Sequence, residues 1–241
     1  MLQAILFDLD GTLLPIDTEE FLSRYLELLS GKMENFLDSK TFVKELMAAT
    51  SAMINNKNSS KNNADIFIEN FFTSTGLDEK EVMPVFEQFY LNEYRQLGQY
   101  YEPIPLVNEI VTLAKSKGYL LVLATNPLFP LLAIKERIRW AGINNEIFSF
   151  ITCYEKMHAS KPNPRYYQEI TDIINISPDK CLMVGNDVEE DLIAKEVGMQ
   201  TFLVHDYIIN RRNIPITADY QGTLQDLFHF INSLKKRICF R

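Results

Sequence analysis

The stretch FDLDGTLLP, residues 7–15, closes an apolar run (Ile5, Leu6, Phe7) with two aspartates two positions apart and a glycine. Asp10-Gly11 between apolar runs is a β-hairpin signal. The alternative is that the run is a buried strand whose end delivers two carboxylates to one face, since residues i and i+2 of an extended chain point the same way. This window alone leaves both readings open, and the rest of the chain has to decide between them.

Five short apolar runs read as strands, at residues 4–9, 119–124, 148–153, 180–184 and 200–204. Several are nearly continuous in apolar residues, the pattern of strands covered on both faces of a parallel sheet. Helical periodicity lies between the later ones, at 106–116, 131–140, 164–174 and 189–197, with glycines at 118, 142 and 198 as stops. Alternation of strand and helix implies right-handed βαβ units and an α/β, doubly wound, Rossmann-like parallel sheet. Residues 16–102 break the rhythm: 19–29, 36–53, 64–73 and 79–97 carry apolar residues at helix spacing. They read as a mainly helical cap inserted after the first strand, leaving 1–15 and 103–241 as the core domain. Within the cap, NNKNSSKNN (55–63) reads as a polar connector with nothing to bury. The tail reads as an irregular segment, 206–219, with Arg211 and Arg212 in a solvated loop, then a helix over 224–236.

The chain has 241 residues, 46% hydrophobic and 23% charged, and a net charge of −8. Those values fit a soluble globular protein and argue against nucleic acid or an anionic membrane as a partner. Cys153, Cys181 and Cys239 are widely spaced with no CxxC pair, so no disulfide framework is expected and a cytoplasmic location is. The start, MLQAILFDLD, does not read as a secretory signal, and no apolar run is long enough to span a bilayer.

In an open parallel sheet ligands bind outside the carboxyl ends of the strands, and those ends carry the chemistry here. The first delivers Asp8 and Asp10, the second Thr125-Asn126, the third is followed by Lys161-Pro162, and the fourth runs into GNDVEED (185–191). Clustered carboxylates suit a hard cation such as Mg²⁺. A hydroxyl and an ammonium suit phosphoryl oxygens. A carboxylate can attack phosphorus while a second acid protonates the leaving oxygen. Among the remaining candidates, His158, His205 and His229 lack metal-ligand spacing. Trp140, Phe86, Phe89, Tyr90 and Tyr94 read as core rather than substrate cradle.

Four motifs in this order resemble the haloacid dehalogenase superfamily of phosphohydrolases, its capped phosphatase subgroup in particular. They are DLDGT at 8–12, Thr125 in VLATN, Lys161 in SKPNP, and GNDVEED. The resemblance implies a Mg²⁺-dependent hydrolase of a small phosphomonoester, acting through an aspartyl-phosphate on Asp8. Asp10 would be the general acid and base, its main-chain carbonyl on the metal. Thr125 and Lys161 would hold the phosphoryl group, with help from the backbone near Leu9 and Asn126. For the third metal ligand, counting from the glycine gives Asn186 and counting by the spacing of acids gives Asp187. Asp187 is preferred because an anionic oxygen suits Mg²⁺ better. Asp191 would then fix Lys161 or a metal-bound water, and Glu189 and Glu190 would form a solvated first helical turn.

The expected partner is a small phosphorylated metabolite, and the oligomeric state, monomer or dimer, is open. Dehalogenase members of the family lack the second aspartate, which is present here. A mutase, a phosphonatase using a cap lysine (Lys32, Lys40, Lys44, Lys57, Lys61 or Lys80) and a non-catalytic binding protein of the same fold are the alternatives.

Overall fold

We describe residues 1–237 of a computed structural model of the chain; Cys239 lies outside them. The first strand, β1 (Ala4–Phe7), is wholly buried and runs up the middle of a six-stranded, all-parallel sheet. On one side of it lie β2 (Leu120–Leu123) and β3 (Phe150–Ile151). On the other lie β4 (Cys181–Gly185), β5 (Gln200–Val204) and β6 (Tyr220–Gly222), giving the order β3-β2-β1-β4-β5-β6. Chain order reverses between β1 and β4, the position where an open α/β sheet leaves a crevice. Phe7 is in register with Leu123 and with Val184, so the residues following these three strands emerge at one level.

The sixth strand was not expected from the sequence. It is a three-residue edge strand with Tyr220 and Gln221 exposed, so it has no apolar run to betray it. β5 matches its apolar run and β4 is shifted by one residue, whereas β1, β2 and β3 are shorter than theirs because flanking apolar residues are buried in loops above and below the sheet.

Residues 16–102, after β1, hold four helices: α1 (Thr18–Lys32), α2 (Ser39–Ile54), α3 (Asn63–Thr75) and α4 (Glu79–Leu91). Each begins where an Asp or Asn side chain accepts backbone N–H groups, at Asp17, Asp38, Asn62 and Asp78. That is why α2 starts at Ser39 rather than at 36. The helix expected over 79–97 ends at Leu91 and continues as 3₁₀ turns, Glu93–Tyr100. These turns bring Gly98 against the Trp140 ring so closely that a Cβ would lie 2.4 Å from the indole nitrogen. The remaining helices are α5 (Pro105–Ser116), α6 (Leu131–Trp140), α7 (Pro164–Ile174) and α8 (Leu224–Ser233). No helix among the described residues is long and apolar enough to cross a membrane.

The polar stretch 55–63 is more than the connector expected of it. Asn63 is fully buried, and its amide donates to the Pro127 carbonyl (3.1 Å) and the Ser160 hydroxyl (3.0 Å). Backbone N–H groups of Asn63 and Ala64 donate to the Met157 and Tyr154 carbonyls. The asparagines therefore pin the helical layer to the loops that follow β2 and β3. A hydrophobic core continues across the same seam, from Phe7 and Leu9 through Phe21 and Tyr25 to Phe71 and Phe86.

Candidate active site

The chain leaves β1 in a tight turn, not a hairpin. Leu13 and Leu14 both donate N–H to the Leu9 carbonyl, and Gly11, at φ +79°, donates to Leu14. A side chain at position 11 would be strained by that φ and would strike the Asn186 amide, 2.3 Å from an added Cβ. The turn thereby holds Asp8, Asp10 and Thr12 at the crevice between β1 and β4.

Asp8 is bound from two sides: Lys161 Nζ donates to Oδ1 (2.8 Å) and the Thr12 hydroxyl lies 3.2 Å from Oδ2. Lys161, 1% exposed, also donates to Asp191 (2.6 Å). Burial by itself would favour the neutral amine, but the carboxylates of Asp191 and Asp8 override it and raise the lysine's pKa well above the ordinary value. Burial likewise raises Asp8, and raises Asp191 to about 6. Asp191 can sit there only because position 185 is glycine, where a Cβ would fall 2.1 Å from its Oδ2. Its Oδ2 also accepts the Asp187 backbone N–H (2.9 Å). Asp191 thus orients the lysine and clamps the loop after β4.

The two rivals after β4 face different ways. Asn186 turns toward β1, its Oδ1 3.0 Å from the Thr12 hydroxyl and its amide donating to the Tyr207 carbonyl (2.6 Å). Asp187, expected to face the same point, is otherwise engaged. Its Oδ1 accepts the backbone N–H groups of Glu189 and Glu190, and its Oδ2 pairs with Arg211. The expected helix over 189–197 reduces to 3₁₀ turns at Leu192–Val197, because Asp187 folds the preceding residues into a turn.

Glu190 is not in a solvated helical turn. It lines the cleft, accepts from the Asn126 amide (3.1 Å), and has its pKa raised by burial and then by Asp187 and Asp191. Arg211, expected in solvent, lines the same cleft, while Arg212 pairs with Glu189 on the surface. Thr125 and Asn126 complete the rim. Leu9 is wholly buried below it.

Arg137 was missed by the sequence reading. This guanidinium on α6 is 2% exposed and pairs with Asp10 Oδ2. It also stacks over Phe129, 4.5 Å from the ring centre. A signal for it existed: Arg137 follows Ala133 by four and precedes Ala141 by four, so a charge sits on the buried face of an amphipathic helix. Asp10 Oδ1 and the Nε and Nη2 of Arg137 have no hydrogen-bond partner.

Five carboxylates (Asp8, Asp10, Asp187, Glu190, Asp191) thus meet three cations (Lys161, Arg137, Arg211), an excess of two negative charges. Thr12 has one hydroxyl proton for two acceptors, Asp8 Oδ2 and Asn186 Oδ1, which leaves one of these oxygens uncompensated. Among the described residues no three acidic, histidine or cysteine side chains converge on a point. The donors that fit a hard divalent ion are accordingly mixed: carboxylate, amide and main-chain oxygen.

The histidines stay out of the site: His158 pairs with Glu169 and His229 contacts Gln225. None of the six lysines in residues 16–102 lines the cleft or the cavity beside it. Phe86 and Tyr90 line that cavity, whereas Phe89, Tyr94 and Trp140 pack in the core.

The model of haloacid dehalogenase-like hydrolases matches residues 2–198. A phosphoglycolate phosphatase of Psychrobacter arcticus is 23% identical over 202 residues, 83% of this chain and 81% of that protein. A glyceraldehyde 3-phosphate phosphatase of Methanothermobacter thermautotrophicus is 30% identical over 106 residues, 43% of this chain and 45% of that one. Among solved structures, a phosphatase of Thermococcus onnurineus superposes with a TM-score of 0.61 at 19% identity, covering 98% of this chain and 100% of that one. An L-2-haloacid dehalogenase of Xanthobacter autotrophicus gives 0.58 at 13% identity, covering 97% and 100%.

Proposed function

Since the chain belongs to the haloacid dehalogenase-like hydrolase family and is a phosphoric monoester hydrolase, we propose that it cleaves a small phosphomonoester through an aspartyl-phosphate on Asp8. The observation that carries this reading is the Asp8–Lys161 hydrogen bond of 2.8 Å. It joins residues 153 apart in sequence, at a cleft that Asp10, Thr125 and Asn126 also line.

Lys161, held charged by Asp191, keeps Asp8 in place and offsets the charge of the incoming phosphoryl oxygens, which Thr125 and Asn126 also meet. An Asp8 oxygen attacks phosphorus as the bond to the leaving oxygen breaks. Asp10 gives that oxygen its proton. Water then attacks phosphorus, yields a proton to Asp10, and the phosphorus–oxygen bond to Asp8 breaks, releasing phosphate. Arg137 occupies Oδ2 of Asp10, so Oδ1 is the atom left to carry the proton.

Mg²⁺, when bound, would neutralise the surplus carboxylate charge and polarise the phosphoryl group. Asp8, the main-chain carbonyl of Asp10 and Asn186 would hold it, with Asp187 joining only by leaving Arg211. An acidic chain with buried free thiols at Cys153 and Cys181 suits a reducing compartment, which we take to be the cytoplasm. From the relatives we take only the class of substrate, a small phosphate ester.

The test is Asp8→Asn, assayed with Mg²⁺ on p-nitrophenyl phosphate and on a panel of phosphorylated metabolites. Turnover should vanish while circular dichroism is unchanged. More than about a hundredth of wild-type activity would remove Asp8 as nucleophile. A well-folded, Mg²⁺-loaded wild type inert on every ester would overturn the phosphatase reading.

A further inference from the structure

A second cavity of about 260 Å³ opens beside the catalytic cleft and shares Asp10, Thr18, Leu128, Phe129 and Arg137 with it. Its walls are side chains of α1, α2, α3 and α4, among them Phe21, Leu46, Phe67, Met83 and Phe86. The aromatic rings pack against one another: Phe67 and Phe86 meet edge to face at 6.4 Å, Tyr25 and Phe129 at 5.3 Å. Two of the three phenols that line it, Tyr25 and Tyr90, face each other within the wall. Tyr25 and Tyr90 hydroxyls bond each other at 2.8 Å, and burial pushes Tyr25 up to about 12, so it stays uncharged. Among the described residues Arg137 is the one cation lining the cavity, and its Nη1 is paired with Asp10 while the guanidinium stacks on Phe129.

Resting on the phosphatase reading above, we propose that this cavity receives the leaving alcohol, and that the substrate is the phosphate ester of an uncharged, apolar alcohol of aromatic size. Three observations converge on this occupant. The cavity meets the cleft at Asp10, the residue that protonates the leaving oxygen, so the group attached to that oxygen points into it. Its volume exceeds the ~150 Å³ of an apolar cavity known to take benzene. Among the described residues its lining holds one cation, Arg137, whose charge Asp10 already offsets, so a second anionic group such as the carboxylate of phosphoglycolate would meet a neutral pair rather than a net positive charge.

The test compares primary-alcohol esters, whose leaving oxygens differ little in basicity. With Mg²⁺ present, kcat/KM for 2-phenylethyl phosphate should exceed that for ethyl phosphate, glycerol 3-phosphate and phosphoglycolate by at least ~10-fold, a modest share of what burying a phenyl ring supports. A ratio below tenfold, or a preference for phosphoglycolate, overturns the proposal and leaves the phosphatase reading intact. Thr50→Phe and Met83→Trp, which fill the cavity from α2 and α4, should each shrink that ratio at least ~3-fold. An unchanged ratio in both variants places the alcohol elsewhere. If no ester is hydrolysed, calorimetry with 2-phenylethylphosphonate and ethylphosphonate still reads the cavity. At least ~10-fold tighter binding of the former supports the assignment, and equal binding removes it.

Discussion

The catalytic cleft and the cavity beside it are built by opposite means. In the cleft the cations are fixed by ionic hydrogen bonds: Lys161 to Asp8 and Asp191, Arg211 to Asp187, Arg137 to Asp10. In the cavity shape is set by interlocking rings, and the few polar groups satisfy one another. Charge in the cleft positions reacting atoms to a fraction of an ångström, which phosphoryl transfer requires. Rings in the cavity tolerate small changes in the ligand and discriminate by volume and dryness. The two share a short seam that includes the Asp10–Arg137 pair, so damage on either side of it should read out differently.

The largest effect is expected from the cleft. Asp10→Asn keeps the shape of the carboxyl group but cannot deliver a proton, so kcat should fall ~10²–10⁴-fold. Binding of 2-phenylethylphosphonate should stay within ~3-fold, because the cavity is intact. Parallel losses in both measurements would mean that Asp10 supports the cavity wall rather than the chemistry. Lys161→Met asks the same question of stability. Removing the ammonium leaves Asp8 and Asp191 buried without a cation, which should cost about 3–5 kcal/mol in urea unfolding at pH 8. Asp191 already stands at about 6 through burial, and losing the lysine raises it further. Above pH ~4 the folded variant then binds more protons than the unfolded chain, so its stability should rise as pH falls. A deficit unchanged between pH 8 and 5 would show that the pair is solvated.

The same contrast explains what the sequence made legible. Asp8, Lys161 and Asp191 were identifiable because strand ends in a parallel sheet converge, and each residue closes or follows an apolar run. Arg137 and Glu190 were not, because their roles come from packing: one belongs to the face of α6 turned to the cleft, the other to a turn that Asp187 folds. The cavity had no motif at all. Its rings are spaced like any helix core, and which of them line a void depends on how four helices cross. The buried asparagine at the end of a polar stretch was equally hidden, since composition cannot distinguish a solvated amide from one that bridges two loops.

That asparagine is where the two regions are held together. Asn63→Ala deletes hydrogen bonds to Pro127 and Ser160, the neighbours of Asn126 and Lys161. It leaves the Pro127 carbonyl and the Ser160 hydroxyl without this donor at a buried seam. A loss of about 1–3 kcal/mol is expected, read as a lower denaturant midpoint. If the seam also positions the helical layer, kcat on ethyl phosphate should hold while the preference for 2-phenylethyl phosphate weakens; if it governs only stability, both should hold. A variant as stable as wild type would mean that water or a neighbouring group replaces the amide.

The smallest effects concern the metal, where an amide and a carboxylate compete. Asn186 shares the Thr12 hydroxyl with Asp8, whereas Asp187 spends its oxygens on two backbone N–H groups and Arg211. Asn186→Ala should therefore weaken Mg²⁺ binding, measured by calorimetry, at least ~10-fold, the usual scale for groups at or next to a metal. Arg211 is about half exposed, and an exposed ion pair contributes little, under about 1 kcal/mol. Arg211→Ala should leave folding stability nearly unchanged and shift Mg²⁺ affinity by no more than ~3-fold, toward tighter binding, because Asp187 is freed and one positive charge leaves the cleft. The converse pattern would identify Asp187 as the ligand: a large gain on removing Arg211, with little loss on removing the Asn186 side chain. The turn it caps before Leu192 would then have to rearrange whenever the ion binds.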